Sequence, residues 1–229
     1  MSNVVTEQVN TKPKRRPMLD IDKVNESKDA YRTFKRIQDI VVAFLGIVLL
    51  SPVLIIIAIV VFIECPKASP IFVQERVGKN GKHFKFFKFR SMVPNAEELL
   101  VDLLDKNEME GHAFKMKNDP RITKVGRFLR KTSLDELPQL FNVLIGNMSI
   151  VGPRPPIPRE VAKYDEYELQ RLLVTPGITC YWQTVPNRND MTFEEWLEMD
   201  LDYIEDRNLK TDYSIILATF FAVFGMNGI

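Results

Sequence analysis

Residues 40–63 form a run of 24 residues without a charge, and no other stretch of this chain limits its fold as severely. By length alone, such a run predicts a helix able to cross a bilayer. Ser51-Pro52 at its midpoint argues for another path, because a proline removes one helix hydrogen bond and can kink the segment. The flanking charges point the same way. Arg32, Lys35 and Arg36 precede the run, and Lys67, Arg76, Lys79, Lys82 and Lys85 follow it; basic flanks favour the cytoplasmic side. Residues 32–64 are therefore expected to form a re-entrant membrane helix, broken at Ser51-Pro52 and returning to the face it entered from. A straight spanning helix is the alternative. Asp39 would stay at the headgroup boundary, and Gly46 would ease the bend.

Composition sets the rest of the frame. A hydrophobic content of 45% suffices for one domain with a real core, placed here at residues 65–229. A net charge of +1 gives no case for nucleic-acid binding, and positive charge is instead clustered in residues 12–36. The first thirty residues are polar, with no apolar segment ahead of the basic run, so residues 1–31 are expected to be a flexible basic cytoplasmic arm and not a signal peptide. Cys65 and Cys180 are the only cysteines. Neither fits a metal spacing, and a reducing compartment is the default.

Periodicity predicts an α+β, predominantly helical fold. Residues 71–77 and 82–89 flank Lys79-Asn80-Gly81, a hairpin signal, and Phe84, Phe86, Phe87 and Phe89 break strict alternation, which implies a bulge or two apolar faces. Residues 93–105 suggest an amphipathic helix with Asn95 as cap. A polar loop follows over 106–120, with His112 solvent-exposed. Ile122, Val125, Phe128 and Leu129 mark a helix whose basic side, Lys124, Arg127 and Arg130, suits anionic lipid as well as plain solvation. A charged helix is expected over 161–174 and an acidic one over 193–206, capped by Thr192. Residues 213–224 are apolar but too short to span a bilayer. Trp182 is expected in the core.

The chemistry-bearing stretch is residues 131–156, K-T-S-L-D-E-L-P-Q-L-F-N-V-L, a turn, then S-I-V-G-P-R-P-P. Ser133 or Asp135 can cap a helix whose first turn holds Pro138, which places Asp135 and Glu136 at a helix N-terminus where the dipole favours their ionised forms. An ordinary capping box, Ser133 to Glu136, explains S-x-x-E equally well. The surrounding charge favours more. Arg130 and Lys131 stand upstream, and Arg154 is fixed between prolines downstream. A guanidinium facing paired carboxylates suits a phosphate-bearing substrate with a divalent metal between them.

Lys88-Phe89-Arg90-Ser91-Met92, then S-L-D-E-L-P-Q-L-F-N-V-L, then G-P-R-P resemble the bacterial sugar transferases, the monotopic phosphoglycosyl transferases, and the resemblance runs from about Arg32 to the C-terminus. It implies a re-entrant helix broken at Ser51 and Pro52 beneath a catalytic domain on the cytoplasmic face of the bacterial membrane. It also implies transfer of a sugar 1-phosphate from a UDP-sugar, a hexose such as glucose or galactose, to undecaprenyl phosphate. UMP is released, and glycan synthesis of the exopolysaccharide or capsule type begins. The cofactor implied is Mg²⁺, and the partners are UDP-sugar, undecaprenyl phosphate and membrane lipid, with a homo-oligomer compatible. Residue by residue, the resemblance gives Asp135 and Glu136 as catalytic, Arg154, Lys88 and Arg130 as phosphate ligands, and Gln183 and Arg188 as nucleotide ligands. Asp135, Glu136 and Asp200 are the metal candidates, Asp200 either as a direct partner of the metal or as a residue supporting its ligands. Two departures occur: Cys180 replaces the usual glycine of P-G-I-T-G, and the segment before Arg188 is one residue longer and lacks its glycine.

Two readings from other classes stay open at this point. A membrane-tethered scaffold would use D-E only as a cap, and a regulator would bind nucleotide sugars without turnover. Metal-dependent UMP release separates both from an enzyme.

Overall fold

The structure, a computed structural model, describes residues 15–26, 28–108, 114, 116–186 and 190–224. It is mostly helical, with two small sheets and one long apolar helix near the N-terminus. Helix α1 is Ile21–Asn25, and α2 runs from Asp29 to Glu64. Where a break was expected at Ser51-Pro52, α2 is a single helix with Pro52 inside it. A local substitution makes this affordable: Pro52 cannot donate to Val48 O, and Ser51 Oγ donates to that carbonyl instead at 2.8 Å.

Strands β1 (Ile71–Val77) and β2 (His83–Phe89) pair antiparallel, one residue against one from Ile71↔Phe89 to Val77↔His83. The Asn-Gly signal is realised as a tight turn in which Asn80 (φ 56°) and Gly81 (φ 75°) both adopt left-handed backbone. No bulge interrupts the register. The phenylalanines break alternation because the hairpin is apolar on both faces: Phe86 packs with Ala43, Val143 and Met148, and Phe89 with Ile57, Val61 and Leu129.

The helix expected over 93–105 is two short pieces, α3 (Ala96–Val101) and a 3₁₀ turn at Leu104–Lys106. Helix α4 (Lys124–Lys131) is capped by Thr123, whose Oγ1 accepts from Gly126 N at 2.9 Å. Helix α5 is Gln139–Ile145. Strands β3 (Ser149–Val151) and β4 (Gly177–Thr179) pair parallel across a crossover that holds α6 (Pro158–Val161) and α7 (Glu166–Leu169). The charged helix expected over 161–174 is thus split, with a 3₁₀ segment at Gln170–Leu173 after α7. Helix α8 (Phe193–Asp206) has the expected bounds and a Thr192–Glu195 capping box, and α9 is Leu209–Phe224.

The N-terminal arm is docked over the part described, against the expectation of a loose tail. Val24 enters the core with Leu197, Leu201 and Ile204. Arg15 pairs with Asp165 at 2.5 Å and Glu194 at 2.9 Å, and Arg16 with Asp202 at 2.7 Å. The acidic face of α8 is therefore partly neutralised by this strap and not wholly solvated. Residues 1–14 lie outside the described residues.

Helix α2 leaves most of its apolar surface exposed, Leu49 at 74% for example, yet both of its ends are tied to the domain. Arg36 donates to Val143 O (2.7 Å) and Leu144 O (2.9 Å) at the C-terminus of α5, where a cation is favoured by the helix dipole. Asp39, 3% exposed, accepts from Ile150 N at 2.9 Å and Ser149 Oγ at 3.1 Å. Glu64 Oε1 accepts from Val125 N at 3.0 Å in the first turn of α4. Asp39→Ala would leave two donors of β3 unpaired, the Ser149 hydroxyl buried and the Ile150 N–H half-buried. It should lower stability by about 1–3 kcal/mol, read as a lower melting temperature of detergent-solubilised protein, whereas an unchanged melting temperature would show that the Asp39 bonds add nothing to the hold on α2.

Candidate active site

Asp135 and Glu136 lie on a 3₁₀ turn, Leu134–Glu136, between α4 and α5. Ser133 before it is left-handed (φ 56°) and makes no side-chain cap, so neither the capping box nor a simple helix N-terminus describes the pair. Glu136 turns to β2, where it accepts from Lys88 Nζ at 2.6 Å. Lys88 is 3.8 Å from Asp135 Oδ2, and Arg154 Nη1 is 3.7 Å from Glu136 Oε1. The structure thus brings Asp135, Glu136, Lys88 and Arg154 together. Arg130 approaches from the end of α4, its Nε donating to Ser91 Oγ at 2.9 Å.

The two carboxylates are unlike. Burial pushes both upward, but for Glu136 the Lys88 ammonium and Arg154 outweigh it and hold its pKa below the ordinary range. Asp135, 5% exposed, is raised by burial first; Lys88 opposes this and the Glu136 charge adds to it. Desolvation and the adjacent like charge outweigh the favourable dipole that the sequence led us to expect. The pair therefore offers one carboxylate directly engaged by two cations and one that Lys88, Arg130 and Arg154 attract only at longer range.

Arg154 owes its place to backbone packing. Gly152 and Gly177 touch through their main chains, so that a Cβ on Gly177 would stand 2.0 Å from Gly152 N. Three prolines in residues 153–156 have no N–H, yet all four carbonyls there accept hydrogen bonds: Pro153 O from Gly177 N (2.9 Å), Arg154 O from Arg171 Nη2 (3.4 Å), Pro155 O from Arg76 Nη1 (2.8 Å) and Pro156 O from Val77 N (2.9 Å). Behind β2, Asn142 is fully buried and bonds Phe87 N (3.0 Å) and Lys85 O (2.6 Å) as a neighbouring strand would. This fixes the strand that carries Lys88.

Lys88, Arg130 and Arg154 stand in the wall of a cleft of about 360 Å³, beside Arg121, Arg171 and Trp196, and Glu136 is held to two of these cations. An anion with several oxygens fits such a lining. The donor set for a cation is two carboxylates, and among the described residues no three His, Cys, Asp or Glu side chains stand together. Two carboxylates fit Mg²⁺ when substrate phosphates and water complete its shell.

Asp200 is not brought to Asp135 and Glu136. It is 1% exposed and paired with Arg171 at 2.5 Å, and burial pushes its pKa up to about 6 against the pull of that arginine. Gln183 lies on a 3₁₀ turn, Tyr181–Thr184, next to Trp182 in the cleft wall. Arg188 and His112 lie outside the described residues. Trp182 is core, as expected, and stacks on Trp196 with ring centroids 4.4 Å apart. Cys180 has extended backbone (φ −150°, ψ 172°), so the position does not require the glycine it replaces. Sequence reasoning assigned no site role to Arg76, Arg171 or Ser91, which act on the site through backbone carbonyls and a neighbouring arginine; Ser91 stood inside the quoted motif, and the two arginines were signalled only as polar residues within apolar segments.

Residues 30–226 match the model of the family described as bacterial sugar transferase. The chain is 46% identical over 186 residues to the galactosyl transferase CpsE of Streptococcus agalactiae serotype III, which covers 81% of this chain and 41% of that protein. It is 42% identical over 208 residues to an undecaprenyl-phosphate galactose phosphotransferase of Salmonella typhimurium (89% and 43% covered). It is 39% identical over 194 residues to the exopolysaccharide production protein ExoY of Rhizobium meliloti (82% and 84% covered). The chain spans less than half the length of the first two and most of the third. With the family pattern running through the carboxylate turn, the Lys88 strand and the Arg154 loop, this chain belongs to the bacterial sugar transferase family.

Proposed function

We propose that this protein transfers a sugar 1-phosphate, galactose or glucose 1-phosphate, from the UDP-sugar to undecaprenyl phosphate at the cytoplasmic face of the bacterial membrane. UMP is released, and exopolysaccharide or capsule synthesis begins. The observation that carries the reading is the Asp135–Glu136 pair, set between Lys88 and Arg154 at a cationic cleft on a domain that also docks a long apolar helix. One substrate would arrive from the cytosol while the other stays in lipid. The relatives named as a galactosyl transferase and an undecaprenyl-phosphate galactose phosphotransferase support galactose and the lipid acceptor.

Chemistry would run in two displacements. An oxygen of Asp135 attacks the sugar-bearing phosphorus, the bond from that phosphorus to the bridging oxygen breaks, and UMP leaves with the electron pair. An oxygen of the lipid phosphate then attacks the same phosphorus. The bond to Asp135 breaks, restoring the carboxylate and leaving a pyrophosphate-linked lipid sugar. A carboxylate is a weak nucleophile, so orientation and charge neutralisation have to drive the step. Arg154 and Arg130 would bind diphosphate oxygens, and Lys88 would hold Glu136 and turn its charge toward the phosphate. Mg²⁺ held by Asp135 and Glu136 would supply further neutralisation of the diphosphate. Gln183 and Arg188 are proposed for the leaving nucleotide.

That both ends of α2 lie on one side of the membrane draws support from their ties to the domain. A 36-residue helix is about 54 Å long, and the residues flanking its apolar run bond one and the same domain, which cannot lie on both sides of a bilayer. Cysteines placed at positions 20 and 80 should accordingly be labelled from the same side of oriented vesicles, and labelling from opposite sides would mean that α2 spans.

Incubating the enzyme with sugar-labelled UDP-galactose or UDP-glucose, Mg²⁺ and no lipid should leave label on the denatured chain, removable with hydroxylamine. Asp135→Asn should abolish it while the melting temperature holds. Label on the asparagine variant, or UMP release that requires lipid, would favour direct transfer between the two substrates. Arg154→Lys keeps the charge but loses the planar fork. Turnover should fall by about 1.5–3 kcal/mol in transition-state free energy, and near-normal turnover would assign Arg154 a structural role.

A further inference from the structure

The loop that carries Arg154 is held through its carbonyls, and two of the donors are arginine side chains. Arg171 reaches Arg154 O through Nη2 at 3.4 Å. Its own guanidinium is held by Asp200 Oδ2 at 2.5 Å and by the Tyr164 hydroxyl at 3.0 Å, with the rings of Tyr164 and Phe193 within 5.9 Å. Asp200 is on α8 and Arg171 on the 3₁₀ segment before β4, so this pair ties the back of the domain to the cleft.

The ion pair is a costly way to obtain stability. Asp200 and Arg171 are 1% and 5% exposed at the side chain, and among the described residues Asp200 Oδ1 and Arg171 Nε have no hydrogen-bond partner. Apolar residues of similar volume often do as well or better at a buried position of this kind. What apolar residues cannot do is donate a directed hydrogen bond to a carbonyl whose own residue carries the side chain the site needs.

We infer that Asp200 and Arg171 are positioning residues for the transfer reaction, Asp200 acting through Arg171 on the backbone of Arg154 and so aiming that guanidinium at the phosphate end of the cleft. The inference rests on the proposed reading of Arg154 as a diphosphate ligand. It gives Asp200 a task other than binding metal, and it explains why an acid of α8 stands apart from Asp135 and Glu136. Arg171 also lines the cleft, so direct contact with substrate is the rival role.

A double-mutant cycle on the full chain in lipid nanodiscs separates these roles. With UDP-galactose, undecaprenyl phosphate and Mg²⁺, Asp200→Asn should lower kcat/KM by about 100-fold, the scale of a catalytic group displaced by roughly 1 Å. On an Arg154→Lys background the same change should cost at most about threefold, because the group being positioned is already replaced. Losses that multiply across the two sites overturn the inference in favour of a purely structural role or direct contact. Asparagine leaves Arg171 as an uncompensated buried charge, so the neutral pair Asp200→Asn with Arg171→Gln is made as well. It should melt near wild type and still lose kcat/KM, and full activity in that folded variant overturns the inference. Inorganic pyrophosphate binding by calorimetry on the same proteins needs no turnover. Non-additive weakening by Arg154→Lys and Asp200→Asn supports the positioning role even if UDP-galactose and UDP-glucose prove not to be substrates, an outcome that would sink only the transfer reading; additive weakening overturns it.

Discussion

Three polar contacts at the ends of an apolar helix hold the site in register. Arg36 caps α5, which continues the turn bearing Asp135 and Glu136. Asp39 holds β3, which runs into the Arg154 loop, and Glu64 caps α4, which carries Arg130. Apolar contacts between α2 and the domain are non-directional, and a helix facing lipid gains little from hydrophobic burial against its neighbours. Directed hydrogen bonds from side chains at either end are what prevent α2 from sliding or rotating. Each of them ends on an element that delivers a different member of the site.

The site itself is assembled against electrostatic cost. Burial, and then Arg154 beside it, depress the basicity of Arg76, while Glu136 faces both Lys88 and Arg154 and Asp135 faces Lys88 at longer range. Cations gathered this closely are compensated only in part by the Asp135 and Glu136 carboxylates, a setting that favours an anionic ligand. Stability is supplied elsewhere, in the cluster of Val151, Leu197, Leu201, Ile204 and Ile215. Asp212 there collects Tyr31, Lys35 and Tyr203, joining α2, α8 and α9.

The N-terminal strap illustrates how charge is used away from the site. Helix α8 carries seven carboxylates, and those other than the buried Asp200 would repel one another where they stand a turn apart. Arg15 and Arg16 span several of them, and Leu19 N donates to Gln170 Oε1 at 2.6 Å close to Arg171. Exposed ion pairs are individually weak. Anchored by a buried Val24, they act together to close the strap over the helix that positions Asp200.

The sequence by itself determined the family, the apolar helix, the hairpin with its Asn-Gly turn, the bounds of α8 and the presence of Asp135, Glu136, Lys88 and Arg154, because each is written in local periodicity, turn chemistry or a contiguous motif. It could not determine partners distant in the chain. Asp135 was expected to ionise readily at a helix N-terminus, and burial with an adjacent charge reverses that balance. Asp200 looked like a metal ligand, and Arg171, twenty-nine residues earlier, claims it. Basic residues 15–28 were read as a loose tail, since their acidic partners lie more than a hundred residues away. The tertiary structure alone decided these points: solvation, the sign of a pKa shift and the pairing of buried charges are set by which groups meet in space, and periodicity along the chain carries no record of that.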